Sequence, residues 1–471
     1  MKKQNLLIFI CLAFLNTCNC KLFAQQTIQL KLKNNIYKQA FFCSVKGEKL
    51  NVIAINKFED EIIKFQFTQH IPVGIYKIFM ADSLFLDIII DKDSNIVMET
   101  SLLSKVDSMK VIKGSDNKTY YQYLQYKNIF ENKLKEATSN ISQKIQPNPK
   151  KSNSQLEERI NFIKGYLSYE LEQFTKSLIS KDSTLFVSKL IKAMNIPNVN
   201  IYLLKHPDSK TYRNDAEFLL SHFFDNIDFL DSSFLNTDIY YRTIKFYIEK
   251  LVLPRNVTGF NYANEYILNK AAQNKIIYYY IIELLIALYE NTQLEEVYVK
   301  LFTDYLSNNP TAVNKEKFDL IANRVNIFNN LKPGTLAPDI SGKDSLGKEI
   351  KISDIKSDMT LLFIWTSYSK HAEETIKQLS ELYTKYKDDG FKIISVSLDT
   401  NEVQWKTALK NSKPKWTNII NTQGLNGPIS KSYNVWALPR LYLIDKKQIL
   451  LAKPMNVDYL KKQLEAFYKK K

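Results

Sequence analysis

A chain of 471 residues exceeds one compact core and has room for roughly two to four domains. Its 45% hydrophobic and 13% aromatic content excludes a disordered chain. The formal net charge of +16 would admit nucleic acid or an anionic surface, but only six of the 65 basic residues are arginines, the side chain that reads base edges and phosphates bidentately. No basic run alternates with a stacking platform, so no nucleic-acid partner is expected and the lysines are read as a solvated surface.

The first 24 residues read as a secretion signal: Lys2 and Lys3, an apolar run from Leu6 to Leu15, and a short stretch ending at Ala24. Cleavage after Ala24 is one outcome and lipidation at Cys18 or Cys20 the other, the second disfavoured by Thr17 and Asn19 before the cysteines. Either way the protein is expected in the periplasm or cell envelope. The later apolar stretch Ile276 to Tyr289 carries Glu283 and is shorter than the ~20 residues a bilayer requires, so it reads as a buried core helix and no transmembrane segment is expected in the mature chain.

From residue 25 to about 115 the pattern has period two and favours strands: Ile28/Leu30/Leu32, Leu50 to Ile55, Ile62 to Phe67, Ile75 to Phe79, Phe85 to Ile90 and Ile96 to Glu99. Turn signals at Gly47, Pro72-Val73-Gly74 and Asp91 to Asn95 separate them, which predicts an antiparallel β-sandwich. After Gly114 the period becomes helical, with Ser115 or Asp116 placed to cap, and an all-α domain is predicted over 116–330. The stripe Phe218, His222/Phe223, Phe229 reads as a core face, with His222 a satisfied or exposed helix histidine. From 331 to 471 strand and helix signals alternate: Thr360 to Trp365, a helix through Ile376, Leu379 and Leu382, Lys392 to Leu398, a helix at Trp405, Leu441 to Ile444, Ile449 to Leu451, and a last helix from Tyr459 to Phe467. That alternation predicts an α/β layered domain, so the whole is multidomain α+β.

Of the four cysteines Cys11, Cys18 and Cys20 lie in the signal, leaving Cys43 alone after cleavage. One thiol forms no internal disulfide and cannot cycle as a dithiol. His70, His206, His222 and His371 are far apart in the sequence and form no i,i+4 or cysteine-containing cluster, so no metal is expected, nor any cofactor.

The run Thr360-Leu-Leu-Phe-Ile-Trp365-Thr-Ser-Tyr368-Ser369-Lys370-His371-Ala372, with Pro333-Gly334, Ala337-Pro338-Asp339, Val396 to Asp399, and Val435-Trp436-Ala437-Leu438-Pro439, resembles TlpA-type thioredoxin-like proteins related to AhpC/TSA. The resemblance covers 331–471 and implies a thioredoxin-like domain with Pro439 as the family's cis-proline. It also implies that Ser369 and Ala372 stand at the two redox cysteine positions, so the catalytic CxxC is absent and the catalytic residue set is empty. Ser369 is then expected to serve as a helix N-cap, with Glu373 and Glu374 complementing the helix dipole. Residues two apart on a helix do not face each other, which speaks against a Ser369–His371 hydrolytic pair.

What the resemblance leaves is a binding groove: Ala437, Leu438 and Pro439 would pair with an extended segment, flanked by Trp365, Tyr368, His371, Trp436 and Arg440. Trp436 and Arg440 either make an aromatic-plus-cation contact surface or plug the groove, and the residues leave both readings open. The expected function is a non-catalytic binding or scaffold role toward an envelope protein or peptide, with a residual or partner-dependent redox role as the alternative. A third reading gives the function to the helical domain.

Overall fold

The computed structural model describes residues 26–80, 85–93, 95–143, 154–206, 212 and 214–469. The segment read as a secretion signal, with Cys11, Cys18 and Cys20, lies outside them. The chain forms two compact units, Met1–Leu284 and Leu285–Lys471.

The first unit opens with eight strands: β1 (Gln26–Lys33), β2 (Gln39–Lys46), β3 (Lys49–Lys57), β4 (Ile62–Phe67), β5 (Gly74–Phe79), β6 (Phe85–Ile90), β7 (Asn95–Ser101) and β8 (Lys110–Lys113). They make two four-stranded sheets, ordered β4-β1-β7-β8 and β3-β2-β5-β6. Alternate residues Ile28, Leu30 and Leu32 of β1 are buried, as period two demands of a sheet with one covered face. Phe42 of β2 lies 5.5 Å from Phe65 and 5.1 Å from Phe67 of β4, so aromatic rings join the two sheets. The expected all-antiparallel pairing is corrected at one place. β1 and β7 run parallel, Thr27 opposite Asn95 through Lys33 opposite Ser101, because β7 returns after five intervening strands rather than through a hairpin.

Helices follow: α1 (Ser115–Gln143), α2 (Ser154–Ile179), α3 (Phe186–Ala193), α4 (Val199–Lys205), α5 (Asp215–His222), α6 (Ile239–Phe246), α7 (Val257–Ala271) and α8 (Lys275–Tyr289). Neither Ser115 nor Asp116 caps α1 from outside, since the helix already begins at Ser115. Asn117 in its first turn is fully buried and holds the sheet, donating to the Ile89 carbonyl and accepting from the Ile89 N–H, each at 2.8 Å. Phe218, Phe223 and Phe229 are buried core rings, and His222 is partnered on both nitrogens, with Asp225 at 2.7 Å and Tyr212 at 2.9 Å. Ile277, Ile281 and Ile282 of α8 are buried, and among the described residues no helix is long and apolar enough to cross a membrane.

The second unit contains α9 (Glu295–Leu301) and α10 (Lys315–Asn330), then β9 (Ser341–Lys343), β10 (Glu349–Lys351), β11 (Met359–Trp365), α11 (Ala372–Tyr386), β12 (Phe391–Ser397) and α12 (Glu402–Ser412). It closes with β13 (Thr417–Ile420), α13 (Pro428–Ser432), β14 (Arg440–Asp445), β15 (Leu450–Ala452) and α14 (Val457–Tyr468). The seven strands form one mixed sheet, β10-β9-β13-β12-β11-β14-β15. All seven residues of β11 are buried, as expected of a central strand covered on both faces. One face packs on Ile376, Leu379 and Leu382 of α11 and Leu460 and Leu464 of α14, residues spaced three and four apart. The other face packs around Ile429, Tyr433 and Val435. Asn401 and Asn456 cap α12 and α14, each accepting backbone N–H groups of the first turn.

Candidate functional site

β11 runs parallel to β12 and antiparallel to β14, with Ile364 opposite Arg440. The chain leaving β11 after Trp365 and the chain entering β14 from Pro439 therefore meet at one end of the sheet. The Leu438–Pro439 peptide bond is cis. This end gathers Tyr368, Ser369, His371 and Ala372 from one connection and Trp436, Ala437, Leu438, Pro439 and Arg440 from the other.

The turn between β11 and α11 is held by a buried carboxylate. Asp399, 1% exposed just past β12, accepts the Ser367 N–H at 2.9 Å, the Ser367 hydroxyl at 2.7 Å and the Ser397 hydroxyl at 2.5 Å. Two residues beyond Ser367, the Ser369 N–H donates to the Thr366 carbonyl at 3.2 Å, and the Ser369 carbonyl accepts the Ala372 N–H at 3.1 Å. Those backbone bonds spend Ser369 on a turn, and they correct its expected role. The residue at the helix start is His371, with no side-chain cap, while Glu373 and Glu374 do lie in the first turn. Ser369 is half-buried, Ala372 is buried under α11, and His371 is exposed.

Trp365 belongs to the core. It is 1% exposed and stacks on Phe363 with ring centroids 5.9 Å apart, so it presents no surface to a ligand. The Trp365 indole N–H and the Thr366 hydroxyl are buried without a hydrogen-bond partner in the protein. Tyr368 instead projects outward, 65% exposed.

Arg440 is committed within its own unit. Its guanidinium lies 3.7 Å from the buried carboxylate of Glu295, which also pairs with Lys453, and it sits 5.2 Å from the ring centre of Trp436. Glu295 comes from α9, far upstream in the chain, and nothing in the sequence around Arg440 announces it. Tyr442, two residues on, donates to the Tyr433 carbonyl, and burial pushes its hydroxyl up to about 12. Tyr433 donates in turn to the Pro338 carbonyl at 2.5 Å, fixing the segment before Trp436. Together these contacts leave Tyr368, His371, Trp436 and Ala437 as the exposed members of the expected groove.

Chemically this end of the sheet holds a hydroxyl, an imidazole and a backbone edge, but no sulfur. Cys43, the one cysteine among the described residues, is buried in β2 of the first unit, and burial pushes its thiol up to about 11. Among the described residues no three His, Cys, Asp or Glu side chains cluster for a metal.

The AhpC/TSA family model matches residues 333–453. A thiol-disulfide oxidoreductase, ResA of Bacillus thuringiensis subsp. konkukian, is 32% identical over 137 residues, covering 29% of this chain and 77% of that protein. Among solved structures, the thioredoxin domain of a thiol-disulfide oxidoreductase from Bacteroides vulgatus is 28% identical, covers 29% of this chain and 98% of its own, and superposes with a TM-score of 0.28. The C-terminal domain of a thiol-disulfide oxidoreductase from Bacteroides thetaiotaomicron is likewise 28% identical, covering 30% and 99%, with a TM-score of 0.29.

Proposed function

Because the chain belongs to the AhpC/TSA family through its C-terminal thioredoxin-like domain, we propose that it is an exported binding or scaffold protein of the cell envelope in which that domain no longer performs thiol–disulfide exchange. The observation that carries this reading is that no cysteine follows Cys43 in the sequence, so the turn before α11, where the resemblance puts Ser369 and Ala372 at the redox positions, holds no thiol. Exchange requires a thiolate and a second thiol to resolve the mixed disulfide. A serine hydroxyl stays protonated at neutral pH, and alanine offers no nucleophile. Cys43 does not replace them, since burial holds its thiol protonated until about pH 11.

The groove residues support a binding role of limited extent. Arg440 is held by Glu295 and covered by Trp436, which favours the plugged form of the groove over an open cation for a ligand. Tyr368, His371 and the Ala437–Leu438 backbone remain for an extended protein segment adding along the edge. Export itself rests on the Lys2-Lys3 start and apolar run of the first 24 residues.

The test is reduction of insulin by dithiothreitol with the mature chain as catalyst. No turnover above the reagent alone is expected, from this protein or from a Ser369→Ala variant. Turnover by the parent that the Ser369→Ala variant lacks overturns the reading. Turnover that Cys43→Ala abolishes would establish the partner-dependent redox alternative instead.

A further inference from the structure

The helical part of the first unit forms a cavity of about 580 Å3 that is open to solvent on one side, well within the range of small-molecule sites and remote in sequence from the thioredoxin-like domain. Its walls are largely apolar, with Leu171 and Ile179 of α2, Met194 after α3 and Ile201 of α4. The polar groups among them are not evenly satisfied. The Glu172 carboxylate is neutralised by Lys176 at 2.8 Å and Lys205 at 2.5 Å, and Asp225 is taken by His222.

That accounting leaves Lys127 of α1 and the exposed Lys192 of α3, both lining the cavity, with no ion pair or hydrogen bond among the described residues. Burial draws the Lys127 ammonium below its usual range, with nearby Glu131 only partly offsetting the effect. The ammonium lies 5.9 Å from the centre of the Tyr123 ring. The Thr175 hydroxyl, on a residue 6% exposed, also lines the cavity and has no hydrogen-bond partner among the described residues. Tyr126 and Phe174, the residues immediately before Lys127 and Thr175, stack at 3.8 Å, which brings the two polar groups to one level of the α1–α2 pair.

A half-buried ammonium and a buried hydroxyl, neither with a partner among the described residues, each cost free energy that a bound anion would recover. Apolar walls around such a pair select against a bare inorganic ion, which would leave them uncovered. We propose that this cavity binds a small anionic amphiphile, its single charged head on Lys127 and Thr175 and its apolar body against Leu171, Ile179 and Ile201.

The experiment is isothermal titration calorimetry of the full mature chain with decanoate and decyl sulfate, against decanol and decyltrimethylammonium, all below micelle-forming concentrations. Decanoate and decyl sulfate should each bind once per chain, about tenfold or more tighter than decanol, and the cation weakest. If only one of the two anions binds, it names the head group. Lys127→Met should weaken the anions about tenfold and leave decanol unchanged, Thr175→Val should act in the same direction, and Leu171→Trp should abolish all binding by filling the cavity. Circular dichroism melting establishes that each variant folds, and Thr175→Val serves if Lys127→Met does not. Equal affinity for all head groups, anion binding indifferent to both polar substitutions, or absence of binding overturns the proposal.

Discussion

Asp399 is an ionisable side chain at 1% exposure, and it is tolerated there because Ser367 and Ser397 supply three donors to its two oxygens. Asp399→Ala removes the acceptor and strands the Ser367 N–H and both hydroxyls, so a loss of about 2–3 kcal/mol is expected in urea unfolding, with Asp399→Asn costing less. A midpoint unchanged by Asp399→Ala would refute the clamp. Glu295 tests the second charged group. Glu295→Gln leaves Arg440, whose side chain is 14% exposed, without its counter-charge, for a loss of about 3 kcal/mol that Arg440→Met in the same chain should largely restore. At this scale the sequence was read unevenly. The landmark Val396 to Asp399 was visible, but its partner Ser367 lies on another strand's exit, and Glu295 lies on a different helix altogether. Side-chain pairing across such separations leaves no periodic mark. Trp365 was misplaced for a related reason: an aromatic at a strand end beside a site reads equally as wall or as core, and only the covering of both sheet faces decides it.

The elements that were legible are those whose period runs unbroken. β11 and α14 fall within two residues of their expected limits, and α11 contains the expected Ile376, Leu379 and Leu382, because an all-apolar strand and three-four spaced helices leave little ambiguity. β2 was missed because its alternation breaks where the ladder shifts between Phe42 and Cys43, putting two buried residues in succession. β9, β10 and β13 are three or four residues long, too short to show a period. The start of α1 makes a prediction of its own. Burial chiefly, then Asp93 and Asp91, raise the Asp116 carboxyl from 3.8 to about 6. The folded state thus holds this proton more tightly than the unfolded chain, so the associated stability is full below about pH 4 and is lost as pH rises to about 6. Asp116→Asn should flatten that stretch of the stability–pH curve and raise the melting temperature at pH 7 relative to the parent while leaving it nearly unchanged at pH 4. Parallel curves for the two proteins would remove Asp116 as the cause.

For the molecule as a whole, the proposed loss of exchange chemistry in the second unit has two candidate causes: two side chains alone, or the groove beside them as well. The two causes separate in a Ser369→Cys/Ala372→Cys variant. If the missing thiols were the only loss, restoring them at the turn before α11 would restore insulin reduction. The structure favours the other result. Trp436 lies over Arg440, Arg440 is fixed by Glu295, and Tyr433 is anchored to the Pro338 carbonyl, so the groove is braced and closed at its Arg440 end, and a segment added along the accessible Ala437–Leu438 edge is not carried on across the turn before α11. The double variant should therefore lose its two new thiols on oxidation, read by thiol titration in denaturant, yet reduce insulin no faster than the parent. Adding Trp436→Gly, which uncovers the strand entry without touching the Glu295 pair, should raise turnover above that of the double variant. Full activity in the double variant alone would mean that the groove never closed. The domain's present role would then be separated from catalysis by two side chains.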